Sequence, residues 1–427
     1  MATTPASSTD PGQPPGSRLR RVGDSFSKAA TSLKIRNFRL LTMGDLFLAY
    51  GDWFQFIGLG WLVLEVTGSA VAMAGVTALR GGVSVVISPF GGMLSDRFNR
   101  KTIVSWCAGL SSIQAVVLSL LLLTDNLQTW QIYAFAAVEG VNWGIFMPSR
   151  QALVYNVVPR EALPNAVALS SLTQNVARVT GPVFAGLVIS LVGTGWVFVF
   201  QAVARVAASV WTMQITGVVE QKATGRAPFF VSLTAGLKYA LKNHAVGSLV
   251  VVGLIPTLFI LPYFYMLPFF AERVLHIGSQ GYGILATGVG WGALIGLAAV
   301  LFIGNIRKKG WVVFITLLGY ALFVGLFSRS TWLPLSMVFL MGAGIVLSIH
   351  FATAQTLLQL LTPDEVRGRV FSLQQMGQGL QPLGTFPMAI AVEAWGPADA
   401  VSAFVVVAAV VTLGVAALSR ELRRTDT

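Results

Sequence analysis

The sequence contains little charge: only 11% of its 427 residues are Asp, Glu, Lys or Arg, whereas 55% are hydrophobic and 44 are glycine. Soluble domains carry about 25% charged residues. The few charges here cannot cover the surface of a water-soluble core of this size. The composition therefore excludes an ordinary cytosolic enzyme and predicts an integral membrane protein surrounded by the lipid bilayer.

Cysteine and histidine are also scarce. The single cysteine, Cys107, lies in an apolar run, which excludes a disulfide framework, a cysteine-based zinc site and an iron–sulfur site. The histidines, His244, His276 and His350, fall on separate segments and form no convincing catalytic or metal cluster. No Gly-x-x-x-x-Gly-Lys-Ser/Thr motif occurs, so ATP hydrolysis is not expected. We predict that the protein is not an enzyme and needs neither a metal nor a cofactor.

The formal net charge of +12 is not concentrated in one basic patch, which argues against nucleic-acid binding. Positive residues instead recur after every second apolar segment. Before the first segment they are Arg18, Arg20, Arg21, Lys28, Lys34, Arg36 and Arg39; later groups include Arg97, Arg100, Lys101, Arg160, Lys222, Lys242, Arg307, Lys308, Lys309, Arg367, Arg369, Arg420, Arg423 and Arg424. The turns between these groups contain only Arg273 and Arg329. The positive-inside rule then places both termini in the cytoplasm and requires an even number of spans.

Twelve apolar segments are long enough to cross a bilayer, at roughly 20 residues per helix. The predicted spans are 38–64, 71–95, 102–123, 130–156, 164–191, 195–217, 246–271, 279–304, 311–328, 332–361, 368–394 and 398–419. The predicted organisation is a disordered cytoplasmic tail (1–36), a six-helix half (37–217), a cytoplasmic linker with a surface helix (218–245), a second six-helix half (246–419) and a cytoplasmic tail (420–427). The linker helix is predicted from the helical spacing of Phe230, Leu233, Leu237 and Leu241. A removable signal peptide is not expected.

A weak internal repeat supports two parallel halves. At an offset of 204 residues, the triplet Gly140, Gln151 and Pro159 corresponds to the triplet Gly344, Gln355 and Pro363. A shift near half the chain length indicates duplication, which is typical of transporters built from two six-helix units.

The segment Gly92-Met-Leu-Ser-Asp96-Arg97-Phe-Asn-Arg100-Lys101 lies between the second and third spans. It resembles the signature loop of the major facilitator superfamily, Gly-x-Leu-Ala-Asp-Arg-x-Gly-Arg-Lys, from which Ser95 and Asn99 depart. Asn99 can replace the glycine because asparagine tolerates the left-handed backbone. The resemblance implies the major facilitator fold and a cytoplasmic gate in which Asp96 engages the start of helix 11, near Arg367 to Val370. The alternative is a solvated basic loop that only orients the protein.

A second resemblance covers most of the chain. The segments NFRLLTMGDLFLAYGDWFQFIGLGWLVLEVTG, FMPSRQALVYNVVPREALPNAVAL and NVARVTGPVFAGL are similar to the enterobactin-exporter-like branch of that superfamily, which includes macrolide and multidrug efflux proteins. Gly181, Pro182 and Gly186 resemble the helix 5 motif of exporters, although packing in lipid would favour the same residues. The resemblance implies an exporter in the cytoplasmic (inner) membrane.

Charges inside the spans are candidates for coupling transport to protons, because a charge at this depth usually faces a cavity or a partner. The candidate proton sites are Asp52, Glu139, Asp45 and His350, with Arg80, Arg178 and Arg205 as charge partners. Asp52 is expected to be the deeper carboxylate of helix 1, and Asp45 a hydrated entrance charge. The alternative is a permanent Asp52–Arg80 or Glu139–Arg178 pair that only fixes helix register. Many proton-driven relatives carry Arg-x-x-Gln-Gly in helix 4, but this chain has Ala136 and Glu139 at those positions, so Glu139 is expected to take over part of that role.

The resemblance implies which helices line the central cavity, and the aromatic residues on those helices favour a bulky, partly apolar solute. The candidates are Trp53, Phe56, Trp143, Phe146, Tyr263, Tyr265 and Phe351. Together these features predict a monomeric secondary active exporter of a siderophore, antibiotic or drug, working by proton antiport with alternating access. The alternatives are an importer or facilitative carrier and, less favoured, a membrane receptor or enzyme.

Overall fold

The computed structural model describes residues 35–157, 163–217, 237–303, 308–363 and 379–423, together with Val366, Val370 and Gly377. Helices make up nearly all of the described chain, as the composition predicts. The first six are α1 (Arg36–Thr67), α2 (Ala70–Arg97), α3 (Arg100–Leu123), α4 (Thr129–Val157), α5 (Leu163–Val192) and α6 (Thr194–Met213). The last six are α7 (His244–Arg273), α8 (Gly278–Ile303), α9 (Lys309–Ser328), α10 (Leu333–Leu361), α11 (Gln381–Trp395) and α12 (Pro397–Leu418).

Ten of the described helices are long and apolar enough to cross a membrane. Among the twelve helices named above, the two that do not meet this measure are α4, which carries polar residues along its length, and α11, of which 15 residues are described. Both pack among the other helices, with α4 against α2 and α3 and α11 against α2 and α12. Large apolar side chains on the outer faces are exposed, including Trp106, Ile113 and Leu120 along α3. Such a surface is stable only when lipid covers it.

The packing of the first six helices is repeated in the last six. The pairs α2–α4, α3–α6, α3–α4 and α1–α6 correspond to α8–α10, α9–α12, α9–α10 and α7–α12. The repeated glycines occupy corresponding positions: a Cβ atom at Gly140 of α4 would lie 2.6 Å from the carbonyl oxygen of Arg80 on α2, and one at Gly344 of α10 would lie 2.4 Å from that of Val289 on α8. Glycine is needed at both places because the helix backbones touch.

Helix α7 is interrupted where the sequence places Pro256, Pro262 and Pro268. A π turn at Pro256–Ile260 separates the α-helical segments His244–Ile255 and Tyr263–Arg273. Proline removes a backbone donor, and a single π turn absorbs the resulting irregularity. The backbone of α7 is therefore irregular at this point.

The predicted tail and linker helix fall mostly outside the described residues, which begin at residue 35 and omit 218–236. Phe230 and Leu233 therefore lie outside them, whereas Leu237 and Leu241 lie on a short helical segment at 237–242 and are exposed. The domain boundaries drawn from the sequence stay a prediction.

The first six helices contact the last six mainly through the pairs α5–α8 and α2–α11. We call the end of the bundle that carries the α2–α3 turn the basic end, and the opposite end the far end. On α5, a Cβ atom at Gly186 would lie 2.6 Å from the carbonyl oxygen of Ser279 on α8, so the two helices touch backbone to backbone near the far end. Gly181 lies against Trp53 of α1, where a Cβ atom would be 2.7 Å from the Trp53 Cβ.

Candidate functional site

Asp45 on α1 is buried, with 2% of the residue exposed. Its carboxylate accepts hydrogen bonds from Nε of Arg150 at 3.0 Å and from Oγ of Ser170 at 2.9 Å. The expectation that Asp45 is a hydrated entrance charge is therefore wrong. Its ion pair with Arg150 joins α1 to α4, and the Ser170 hydroxyl adds α5.

Asp52, seven residues further along α1, pairs with Arg205 of α6 across 2.6 Å. The guanidinium fits because Gly51 has no side chain: a Cβ there would lie 3.1 Å from Nε of Arg205. The Arg205 side chain is 3% exposed, whereas that of Asp52 is 29% exposed. The Arg205 guanidinium is thus enclosed by the protein, whereas the Asp52 carboxylate is partly exposed.

Glu139 on α4 is buried and lies in a polar network. Its Oε2 accepts a hydrogen bond from Oγ of Ser111 at 2.9 Å, and Nδ2 of Asn142 donates to the same hydroxyl at 2.6 Å. No described cation lies within ion-pair distance of Glu139. Within the described chain, neither ion pair considered from the sequence, Asp52–Arg80 or Glu139–Arg178, forms.

Two cavities adjoin this network. One of about 30 Å³, close to the volume of one water molecule, is lined by Glu139, Ser111 and Gln201 together with Gln55 and Arg80. A second, of about 320 Å³, lies among α1, α2, α4, α7 and α11 and shares Gln55 and Arg80 with the first. Arg80 also lies over the Trp143 ring, 5.1 Å from its centroid. Together with Leu59, which also lines both cavities, these two side chains lie between Glu139 and the 320 Å³ cavity.

The largest of the cavities described here, of about 620 Å³, lies between α4 and α5 on one side and α8 and α10 on the other. It occupies the half of the bundle nearer the basic end. Its wall includes Arg150 and Gln151 of α4, Arg178 of α5, and Phe351 and Gln355 of α10. Gln151 and Gln355, equivalent in the repeat, thus lie in the wall of one cavity. A volume of this size is typical of a small-molecule site.

The aromatic candidates are distributed differently from the prediction. Phe351 lines the largest cavity, and Phe56, Trp143 and Tyr265 line the 320 Å³ cavity. Phe146 and Tyr263 are buried in hydrophobic clusters, at 3% and 1% exposure. Trp53 packs against Phe56 and Phe264, at ring-centroid distances of 5.8 and 6.4 Å. Four of the seven aromatic candidates therefore line a cavity, and ring contacts of Trp53 and Phe56 also join α1 to α7.

The signature loop ties several helices together at the basic end. Asp96 lies 3.6 Å from Arg100, which donates a 2.7 Å hydrogen bond to Asn156 of α4. Lys101 donates to the carbonyl oxygen of Ile215, just after α6, at 2.9 Å. Gly92 has open space around it, and Arg97 is exposed. Of the predicted partner segment, Arg367 to Val370, residues 367–369 lie outside the described residues.

Asn99 does not adopt the left-handed conformation that the signature loop suggested. Its φ is −61° and its side chain accepts a hydrogen bond from the backbone N–H of Lys101, so it caps the start of α3. Asparagine is a preferred residue at this position for that reason.

His350 is fully buried between α9 and α10, where Nδ1 donates to the carbonyl oxygen of Val313 at 3.1 Å. It does not line any of the three cavities described above. This environment favours a packing role.

A set of contacts that the sequence did not predict joins the two groups of helices at the far end. Glu393 of α11 accepts hydrogen bonds from the Ser69 hydroxyl and from the Val71 N–H, at 3.0 Å for the latter. Arg273 of α7 donates to the carbonyl oxygen of Gly68 at 2.5 Å. We call these five residues the far-end clamp, because their bonds hold the turn between α1 and α2.

The sequence carried signals for Ser170 and Gln174, which were missed, and for the place of Arg178, which was predicted only as a charge partner. Ser170, Gln174 and Arg178 recur every fourth residue on α5, which places them on one helix face. All three line the largest cavity. Arg273 was one of two basic residues outside the expected positive-inside groups, and such an exception often marks a specific contact.

A helical bundle with this packing repeat and signature loop defines a multi-pass membrane transporter of the major facilitator superfamily, not an enzyme. Residues 27–426 match the transmembrane secretion effector family, and the chain belongs to that family.

The chain is similar to proteins described as "Enterobactin exporter EntS". It is 25% identical to the one from Shigella dysenteriae serotype 1 (strain Sd197) over 303 residues, covering 69% of this chain and 70% of the relative. The protein of the same description from Shigella boydii serotype 18 (strain CDC 3083-94 / BS512) matches with the same identity and coverage.

Solved structures share the fold at low identity. The nucleoside transporter NupG superposes with a TM-score of 0.70 at 14% identity, covering 91% of this chain and 99% of that one. A bacterial homologue of the human lysosomal transporter Spinster, inward-facing and unoccupied, gives 0.64 at 14% identity, covering 91% and 95%. These similarities concern the fold alone.

Proposed function

We propose that this protein exports a bulky, partly hydrophobic small molecule, such as a siderophore, an antibiotic or a drug, by alternating access coupled to proton entry. It functions as a monomer in the inner membrane, with both termini in the cytoplasm and the six-helix halves at 37–217 and 246–419. The basic end then faces the cytoplasm, in agreement with the positive-inside rule.

The observation that carries the proposal is the position of the 620 Å³ cavity. It lies in the half of the bundle nearer the basic end, whereas the far-end clamp and the Gly186 contact close the opposite end. This arrangement corresponds to a conformation that loads substrate from the cytoplasm. Rocking of one half against the other would close the basic end and release the substrate on the other side.

The outward direction is supported by two features. Gly181, Pro182 and Gly186 match the helix 5 motif associated with exporters, and the relatives similar to this chain are described as enterobactin exporters. A siderophore is accordingly the first substrate to test.

Proton coupling is assigned to Glu139, with Asp52 as the second titrating group. Glu139 is buried and has no ion-pair partner among the described residues. Gln55 and Arg80 lie between its small cavity and the 320 Å³ cavity, which provides a short polar route for a proton. Movement of α2 against α11 would open or close that route.

The direct test uses everted membrane vesicles, in which export is measured as uptake into the vesicle. Vesicles with and without the protein are energised to an acidic interior and offered enterobactin, a macrolide and a neutral hydrophobic dye. We expect uptake of at least one compound that depends on the protein and is abolished by an uncoupler. Protein-dependent release instead of uptake, or uptake that survives the uncoupler, contradicts the proposal.

The proton assignment is tested with Glu139→Gln, which removes the titrating group but keeps the hydrogen bond to Ser111. We expect at least a tenfold loss of gradient-driven uptake while substrate exchange without a gradient continues. Glu65→Gln is the matched control, because Glu65 lies at the far end of α1 and bonds Thr194 outside this network. If Glu139→Gln still concentrates substrate as well as the control, the proton site lies elsewhere.

A further inference from the structure

The wall of the largest cavity is basic and rich in hydrogen-bonding groups. Polar side chains predominate among its described residues, and none of those residues is acidic. Successive turns of α5 supply a continuous polar face from Ser170 through Gln174 to Arg178, and Gln355 faces it from α10. Donors therefore surround the space from both groups of helices.

The two arginines of the wall differ in their partners. Arg150 is bound to Asp45, which neutralises it. Arg178 has no carboxylate within ion-pair distance among the described residues, and it is exposed to the cavity. Its stem packs on α8, since a Cβ at Gly290 would lie 3.2 Å from its Cγ. The guanidinium is thus held at the wall with its charge unneutralised by any described residue.

We infer that this cavity binds an organic anion, with the Arg178 guanidinium taking its acidic group, Gln174 and Gln355 donating further hydrogen bonds, and Phe351 packing on its apolar part. A planar guanidinium suits carboxylate or sulfonate groups, because its two parallel donors match two oxygens of one group. Bulky cations are disfavoured, since no described wall residue could neutralise them. The inference rests on the proposed function and specifies its substrate class.

The position of Arg178 also connects binding to conformational change. Arg178 belongs to the first six helices, and Gln355 and Phe351 belong to the last six. An anion held between them would contact both groups at once. Such a ligand favours whichever conformation brings the two sides together, which alternating access requires.

The test is a charge series on one aromatic skeleton: 1-pyrenebutyrate, 1-pyrenebutanol and 1-pyrenebutylammonium. Binding to the purified protein in nanodiscs is followed by fluorescence titration, with empty nanodiscs subtracted. We expect the anion to bind about tenfold or more tightly than the neutral and cationic probes. Equal affinity for all three probes, or preference for the cation, overturns the inference without any variant.

Variants then locate the charge. Arg178→Gln should lower the affinity for 1-pyrenebutyrate about tenfold and leave the affinity for 1-pyrenebutanol unchanged. Arg178→Lys should bind 1-pyrenebutyrate with an affinity between those of Arg178→Gln and the unmodified protein. Arg329→Gln is the matched control, since Arg329 pairs with Asp399 at the far end, outside the cavity. An unchanged anion affinity in a folded Arg178→Gln protein overturns the assignment.

Failure of the inference and failure of the proposed function are distinguishable, because the titrations require neither transport nor a gradient. Anion binding through Arg178 in a protein that does not export leaves the cavity assignment intact and refutes the proposed function. Uncoupler-sensitive export with no preference for anions refutes the assignment and retains the exporter.

Discussion

At the residue scale, the charged side chains could be found from the sequence but their pairing could not. Asp52, Glu139, Arg80, Arg178 and Arg205 were all predicted as charges within the spans, because few charged residues fall inside apolar segments. Which of these side chains form ion pairs depends on which helices pack against each other. The Gly44, Gly51 and Gly58 stripe faces α6, and this contact brings Asp52 to Arg205 instead of Arg80. The glycine spacing was visible in the sequence, but the identity of the opposing helix was not.

The unequal burial of this pair predicts unequal effects on stability. Asp52→Asn leaves an enclosed guanidinium without its counter-ion, whereas Arg205→Gln leaves a carboxylate that is already 29% exposed. We expect Asp52→Asn to cost about 2–3 kcal/mol and Arg205→Gln roughly half of that. Cys107 is the single cysteine and is buried, so a thiol-reactive dye reports unfolding on heating. A larger decrease of thermal stability in Arg205→Gln than in Asp52→Asn would contradict this account, and the double variant measures their coupling.

At the element scale, the helices followed from local hydropathy, whereas their contacts required the three-dimensional fold. A spanning helix is encoded by its own apolar residues, so its approximate limits can be predicted without knowledge of its neighbours. Gly186 shows the limit of that reasoning. The motif identified it as a packing position on α5, but its contact with the Ser279 carbonyl on α8 came from the structure. The polar face of α5 was likewise present in the sequence and became interpretable only beside α10.

The α5–α8 contact predicts that Gly186→Val interferes with closure of the far end. Because the added Cβ would meet a backbone oxygen at 2.6 Å, the helices must separate. We expect transport to fall about tenfold or more, with increased labelling of cysteines introduced into far-end positions of α5. Gly414→Val on α12 is the control, since no atom lies within 4 Å of a Cβ there. Normal transport by Gly186→Val at equal abundance in the membrane would show that this contact is not needed.

At the scale of the whole molecule, the two ends are held by different kinds of contact. The signature loop at the basic end was predicted from its resemblance to a known motif. The far-end clamp was not predicted, because Glu393 and Arg273 belong to no recognisable pattern and bind groups of a turn distant in sequence. Carboxylates that accept from a helix N-terminus, as Glu393 does at the start of α2, gain stability from the helix dipole. In the structure the clamp is formed and holds the far end closed.

Weakening the two ends should therefore shift the conformational equilibrium in opposite directions. Glu393→Gln removes the charge from the clamp and should raise the population open at the far end about two- to fivefold. Asp96→Asn should lower that population and slow transport, because it removes the charge from the predicted contact between Asp96 and the start of helix 11, which would close the basic end. The measurement is the spin–spin distance between labels at positions 192 and 332, in a Cys107→Ser background.

Arg329→Gln is the control for this experiment, because it breaks the far-end pair with Asp399 within the last six helices and leaves the contacts between the two groups intact. Its distance distribution should match that of the unmodified background. Shifts in the same direction for Glu393→Gln and Asp96→Asn would contradict the assignment of the clamp and of the predicted contact between Asp96 and the start of helix 11 to opposite conformations, since each interaction can stabilise only the state in which it is formed.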